Sequence, residues 1–471
     1  MAPPEPRLRG PTPRGGAGPR GSGPAPGPLA PPEPRVRGTT PHGSAGGPSS
    51  VAVIGGGWAG LAAAVEARQR GHAVTLFEMA PQLGGRARGV ASAGLMLDNG
   101  QHILIGAYVD TLALLRTLGV DVDAALLRMP LRLTDPDGSG LHLKSGAPAL
   151  AFASAVWRQR DWSVGERLAL LRAAAGWAWD GFRCDPALTV AALTQRMPKA
   201  VREGLVDPLC VAALNTPSTD ASATVFLRVL KDALFSGPGS ADLLLPRVDL
   251  GALLPGPAQR WFEAHGVTVR SMHRVDSLTP HPRHAQAWSL DGETFDRVVL
   301  AASPVEAARL TAGIAPEWSR AAAALAYEPI VTVYARSEGT RLPEPMLVLP
   351  AADDAPAQFV FDRGQLGGPA GLLAFVISGA QRWVDEGTEA VVRATLAQAT
   401  RALGQHLRAP LTHLRTLTEK RATFRCTPGL RRPPMPIAPG LMAAGDHVDG
   451  PYPATLEGAV RSGLGAARAL A

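Results

Sequence analysis

Three glycines spaced Gly55-x-Gly57-x-x-Gly60 follow directly on the apolar run Val51–Ile54 and precede an alanine-rich stretch that reaches to about Arg70. The run reads as a buried parallel strand and the stretch as a helix closed by Gly71, with Val74–Glu78 as the next strand. A strand, glycine turn, helix and strand in that order leave little choice of fold, because they form the first unit of a nucleotide-binding sheet. Gly55 permits the tight turn, Gly57 lets the backbone approach a pyrophosphate, and Gly60 allows close helix–strand packing. Trp58 and Ala59 open the helix, whose free N–H groups and positive dipole end face the phosphates. Glu78, at the end of the second strand, can accept hydrogen bonds from an adenosine ribose and disfavours a 2′-phosphate.

The remaining 1–48 and 72–471 must be fitted around that unit. A chain of 471 residues with 46% hydrophobic and 18% charged residues is neither a coiled coil, a wholly disordered chain nor a small disulfide scaffold. Its net charge is +7, of which +4 lies in residues 1–48, where six arginines face only Glu5 and Glu33. The rest is close to neutral and carries no basic stripe with interleaved aromatics, so no nucleic-acid partner is expected. Residues 1–48 are rich in Pro, Gly, Ala and Arg and are expected to be a disordered tail, without the apolar core of a signal peptide. Cys184, Cys210 and Cys426 form no metal-binding pair, which predicts no metal and fits a reducing cytoplasm. The longest apolar stretch, Ser50–Val65, falls short of the ~20 residues that span a bilayer.

The pattern predicts an α/β, two-domain architecture. A Rossmann-like domain is assembled from 49–102, 247–303 and 424–471, including the strand-rich segments Gly266–Leu278, Asp296–Ser303 and Gly440–Val448. A discontinuous substrate domain is expected over 103–246, mainly helical, and 304–423, with strand-like runs at Ile330–Ala335 and Gly371–Ser378. Leu83-Gly84-Gly85-Arg86 suits a backbone pressed on a diphosphate whose charge a guanidinium neutralises. Gly445-Asp446 precedes a final helix whose N-terminus, at Thr455 and Leu456, can point at an electron-rich ring edge, and Asp446 can hold a ribityl hydroxyl. With no second GxGxxG and no cysteine near Gly445-Asp446, one non-covalent FAD is the expected cofactor.

These residues carry a resemblance. GGGWAGLAAA, LGGRAR, LDNGQHILIGAY and the terminal AGDHVDGPYPATLEGAVRSG resemble the amine-oxidase/phytoene-desaturase group of flavoproteins. DPLCVAALNTPSTDASATVFLRVLKDAL (Asp207–Leu234) and DLLLPRVDLGALLP (Asp242–Pro255) narrow the likeness to the hydroxysqualene dehydroxylases, over about 51–471. One departure is His447, where the resemblance leads to an aromatic after the aspartate. The resemblance implies reduction of an allylic C30 alcohol to squalene during hopanoid synthesis, with an electron donor that the sequence does not identify. It places Gly100, Gln101, His102 and Val275 beside the cofactor. His102 is the first candidate proton donor, because imidazole titrates near working pH; a histidine satisfied by backbone is the alternative. Cys210 and Asn215, polar points in an apolar run, are candidates for the pocket of a long apolar isoprenoid or equally for plain core. A carotenoid-type desaturase and a non-catalytic prenyl-lipid carrier remain open as alternatives.

Trp157, Trp162, Trp177 and Trp179 lie among Arg158, Arg160, Arg167 and Arg172, and Ser163-x-x-Glu166 reads as a capping box opening the helix they share. Tryptophan beside arginine suggests monotopic contact of this segment with the inner face of a membrane; an amphipathic helix packed on its own core is the alternative.

Overall fold

The computed structural model describes residues 49–470 apart from Ala93; the tail expected over 1–48 lies outside the described residues. β1 (Ser50–Ile54), α1 (Trp58–Gln69) and β2 (Ala73–Phe77) form the expected unit. The sheet they start has six strands, in the order Thr268–Arg270, β2, β1, Arg297–Leu300, Leu441–Ala443 and Pro436–Ala438. All neighbours are parallel except the last pair.

Both faces of that sheet are covered, which is why β1 reads as an unbroken apolar run. Val51 and Val53 pack with Leu61, Ala62 and Val65 of α1 and with Val460 and Ala466 of the last helix, Leu456–Arg468. Ala52 and Ile54 face the other way, onto Val298, Leu300, Leu441 and Trp318. Each fully buried valine, leucine or isoleucine among them contributes about 1.5–3 kcal/mol. Leu104, Leu112, Leu115 and Leu126 belong to the first of these clusters. Four leucines of the segment 104–126, expected in the substrate domain, thus share a core with the nucleotide-binding sheet.

A five-stranded antiparallel sheet forms the second layer, in the order Met346–Val348, Phe359–Asp362, Leu372–Ile377, Tyr327–Arg336 and Thr412–Phe424. Alternate residues divide its faces. Val331, Val333, Leu373 and Phe375 pack under the helix Thr388–Leu403, whereas Tyr334, Phe359, Phe361 and Val376 face the interior. The helical insert shares its own core, with Val156, Leu170, Cys210, Leu214 and Phe226.

The capping box at Ser163 and Glu166 is present, but the four tryptophans do not share one helix. Trp157 ends Pro148–Arg158, Trp162 is buried in the connection, and Trp177 and Trp179 sit on Val164–Trp179. The cap that starts the second helix necessarily separates it from the first. Among the described residues no helix is long and apolar enough to cross a membrane.

Asp98 joins the layers. Its carboxylate accepts from the Leu250 N–H at 2.8 Å, and its carbonyl accepts from the Tyr334 hydroxyl at 2.9 Å. Burial pushes its pKa up to about 6. The folded state therefore prefers the neutral acid, so stability is present in full below about pH 4 and is lost as pH rises through about 6. The loss amounts to about 3 kcal/mol. Asp98→Asn keeps the acceptor and removes the titration. Urea unfolding at pH 4.5 and 7.5 should show the wild-type chain losing about 2 kcal/mol more stability than the variant, about a third of the full loss having occurred by pH 4.5; equal losses would refute the assignment.

Candidate active site

A cavity of about 560 Å3 lies where the carboxyl ends of the parallel strands meet the interior face of the antiparallel sheet. This is where ligands bind on open α/β sheets. Gly55, Gly57, Trp58, Ala59, Glu78, Gly84, Gly85 and Arg86 line it, as do Gly100, Gln101, His102, Val275, Gly445, Asp446, Thr455 and Leu456. These residues come from six separate stretches of chain, 55–59, 78–86, 100–102, 275, 445–446 and 455–456. Gly60 lies outside the lining and packs against Gly55 and Ala301, in keeping with a packing role.

At the nucleotide end, both oxygens of the Glu78 carboxyl accept backbone N–H groups, from Gly56 at 2.7 Å and Ala80 at 2.8 Å. Each oxygen keeps a lone pair, so the side chain latches the glycine loop and can still accept from a ribose. α1 starts at Gly57 with no side-chain cap and no acidic residue in its first turn, leaving N–H groups and the positive dipole end to an anion. The last helix differs, since the Thr455 hydroxyl accepts from the Gly458 N–H. Val275 is fixed through its carbonyl, which accepts from Arg309 at 2.6 Å.

Arg86 lines the cavity with its charge partnered. Its guanidinium donates to Asp446 at 2.5 Å and to the carbonyl of Ala422 at 2.8 Å. Burial alone would raise the Asp446 pKa, but the Arg86 charge and the neighbouring His447 outweigh it and hold the carboxyl well below the usual range. His447, the departure from the family pattern, is 2% exposed and packs its ring over Gly445, where φ is +154° and a side chain would clash.

Gln101 carries the clearest mark of a missing polar ligand. Among the described residues both its amide oxygen and its amide nitrogen are buried without a partner, a cost of about 1–3 kcal/mol per group unless something fills the need. His102 Nδ1 lies 2.7 Å from the Gly100 carbonyl. A carbonyl only accepts, so Nδ1 carries the proton and the neutral ring presents a lone pair at Nε2. Burial lowers the His102 pKa despite the opposing bond to Gly100. It can donate a proton only as the imidazolium, and that form is favoured on the acid side of the ordinary range.

The two candidate pocket residues part company. Cys210 is fully buried in the helical core, its thiol 3.6 Å from the Thr216 carbonyl, and it does not line the cavity. Burial pushes that thiol up to about 12. Asn215 does line it, yet its amide is committed to the protein: Nδ2 donates to the Glu328 carbonyl at 3.1 Å and to the Thr423 hydroxyl at 2.9 Å, and Oδ1 accepts from Gly379 N–H at 2.7 Å. It ends its helix in the left-handed conformation, φ 47°. The side chain ties the helical insert to the antiparallel sheet and leaves no donor to orient a substrate. Asn215→Ala should cost about 3 kcal/mol, from three hydrogen bonds at about 1 kcal/mol each. Chemical denaturation reads this directly, and a loss below about 1 kcal/mol would dismiss the tie.

Sequence reasoning missed the far wall, where Glu419, Arg421 and Thr423 of Thr412–Phe424 face the glycine loops. Asn99 donates to the Glu419 carboxylate at 3.0 Å across 320 residues, a pairing with no local signal. Ile330, Phe359, Phe361 and Val376 supply an apolar wall, legible only as alternation along strands.

Comparison with known proteins agrees with this geometry. The sequence profile of the flavin containing amine oxidoreductases matches residues 58–471. The hydroxysqualene dehydroxylase of Rhodopseudomonas palustris is 31% identical over 435 residues, covering 89% of this chain and 97% of its own. That of Sinorhizobium fredii is 28% identical over 446 residues, covering 89% and 98%. An oxidoreductase structure from Methanosarcina mazei superposes with a TM-score of 0.67 at 16% identity, over 88% of this chain and 99% of the other, a likeness of fold.

Proposed function

The chain belongs to the flavin containing amine oxidoreductase family, and we propose that within it the protein is an FAD-dependent oxidoreductase that reduces hydroxysqualene to squalene in hopanoid synthesis. The observation that carries this reading is the end-to-end match to a relative of that name, 31% identical over 97% of its length. The cavity fits the cofactor: an uncapped helix start, a latched glycine loop and an unpartnered Gln101 amide meet a phosphate, a ribose and a polar ring edge.

Bound reduced FAD supplies the hydride equivalent that replaces the allylic hydroxyl. The chain's own residues do the rest. Ile330, Phe359, Phe361 and Val376 exclude water from the carbon skeleton, which favours charge separation only where the protein provides for it. His102, with Nδ1–H held by Gly100, is oriented so that its protonated form donates from Nε2 to the departing oxygen. The Arg86–Asp446 pair keeps its charges balanced and leaves the ring-edge region near neutral.

We also place a lipid contact on the helical insert. Leu150, Trp157, Val164 and Trp179 are 74%, 51%, 56% and 91% exposed on two consecutive helices, beside Arg158 and Arg172. Large apolar groups with arginine neighbours suit an interfacial surface from which a hydrocarbon can be drawn.

The decisive assay is anaerobic. Purified protein with photoreduced flavin, detergent and hydroxysqualene is followed by gas chromatography against a squalene standard. Squalene should form as the flavin re-oxidises. Flavin that stays reduced over untouched substrate would refute the proposal and direct attention to oxidised flavin and a polyene, as a desaturase requires.

A further inference from the structure

Apart from the cavity already described, the helical insert encloses a second one of about 290 Å3. Every residue lining it is aliphatic or aromatic; Phe152, Leu171, Trp177, Leu205, Leu209 and Phe226 form most of its wall. Protein interiors are packed with few voids larger than a water molecule, and an apolar void of this kind takes up apolar ligands rather than water. Four features bear on what it holds.

The first is its relation to the main cavity. The helix Asp207–Leu214 contributes Leu209 to the second cavity and Ala212 and Ala213 to the first. Those positions are about one helical turn apart on the same face, roughly 5 Å along the axis, so the two cavities meet the same helix one turn apart. The second is backbone: Leu205 and Val206 reach the cavity from a π-helical segment, Arg202–Val206, and such bulges recur at functional sites. Third, the cavity reaches the surface, because Ala175 lines it and is itself exposed. Last, the helices that enclose it, Pro148–Arg158 and Val164–Trp179, are those that carry Leu150, Trp157, Val164 and Trp179 on their outer sides.

We infer that this second cavity is a binding site for one arm of a long isoprenoid chain, whose allylic carbon lies in the first cavity. The inference rests on the C30 substrate of the proposed function and adds a chain-length determinant to it. A thirty-carbon chain that reacts at an internal carbon has an arm to place on each side, and the apolar wall of the main cavity is shared with the cofactor. An arm in the second cavity is shielded from water and lies beneath the face through which the chain arrives. Ala174, between Leu171 and Trp177 along the chain, is one of the small residues that line it.

The test uses the FAD-loaded full chain and two readouts. In the first, a brominated long-chain alkane is titrated in detergent and tryptophan fluorescence is followed, because bromine quenches a nearby indole. Saturable quenching is expected, and Trp177→Phe should remove most of it. Ala174→Phe, which puts a ring into the cavity, should raise the dissociation constant read from the quench by about tenfold or more, a change of about 1.4 kcal/mol. In the second, Ala174→Phe should raise KM for hydroxysqualene by about tenfold while kcat stays within about twofold, the mark of lost binding that the transition state and ground state share. Leu209→Phe serves the same end if the first variant does not hold its flavin. Quenching and KM both unchanged in a folded filling variant would overturn the inference. A lost quench with unchanged KM and weakened binding to phosphatidylcholine vesicles would assign the cavity to a membrane acyl chain, and that too overturns the substrate arm. Should the wild-type chain leave hydroxysqualene untouched, the proposed activity fails, while the alkane quench still decides whether the cavity takes a hydrocarbon chain.

Discussion

Gly57→Ala is expected to fold with an unchanged melting temperature and no longer to keep FAD through gel filtration. A Cβ built on Gly57 meets nothing nearer than the Gly85 Cα at 3.9 Å, so the protein itself has room for it. That room is the part of the cavity beside the free N–H groups of α1, where a diphosphate must come into direct contact with the backbone. A methyl group there holds the phosphates away from those donors. The expected weakening is about 100-fold, or about 2.8 kcal/mol. Gly60→Ala is the control with the opposite signature. Its Cβ falls 1.8 Å from the Gly55 carbonyl oxygen, and backbone cannot step aside as a flexible side chain would. That variant loses stability by about 3 kcal/mol or more before any cofactor is added. Apoprotein melting and FAD titration on both variants separate the two roles. Equal flavin affinity in Gly57→Ala and wild type would remove the diphosphate from this loop.

Arg86→Met is expected to destabilise the chain by about 3 kcal/mol, because it leaves the Asp446 carboxylate, 7% exposed, without its countercharge. Adding Asp446→Asn should return most of that loss. The double-mutant cycle then gives a coupling of about 1.5 kcal/mol or more, which independent residues would not show. The pH dependence gives a second check. Asp446 has a folded pKa held below its unfolded one, so its contribution is present above about pH 4 and is lost as pH falls through the folded value. Without Arg86 the burial cost is opposed by His447 alone, the folded pKa rises, and the loss on acidification begins at higher pH. A variant whose acid unfolding midpoint does not move would show that Arg86 is not what keeps Asp446 charged.

These two predictions concern residues of different legibility. The role of Gly57 can be read from its neighbours in the chain, because a tight turn between a strand and a helix is a matter of local sterics. Glu78 is similar: the strand that ends beside the glycine loop is the next one along, and the latch to Gly56 spans 22 residues. The pairing of Arg86 with Asp446 spans 360 residues, and each residue taken alone suits a different task at the cofactor. Asn215 and Cys210 were equal as polar points in one apolar helix. The fold set one against the Thr423 hydroxyl and Gly379 N–H and turned the other into the core. The four tryptophans read as one group until the break between Arg158 and Ser163 divided them, burying Trp162 and leaving Trp157 and Trp179 outside.

What the amino-acid order determined by itself was the nucleotide-binding unit, the class of cofactor and the unbroken apolar run that marks a strand buried on both faces. Those follow from spacing, which acts through backbone sterics and the period of a helix or strand, over a few residues at a time. The tertiary structure alone decided which buried charge neutralises which, which polar side chains remain unpartnered, and where the helical insert leaves room for a chain. Each of these depends on segments hundreds of residues apart meeting in a medium that penalises an unpaired charge or amide, and no local pattern records which partners will meet.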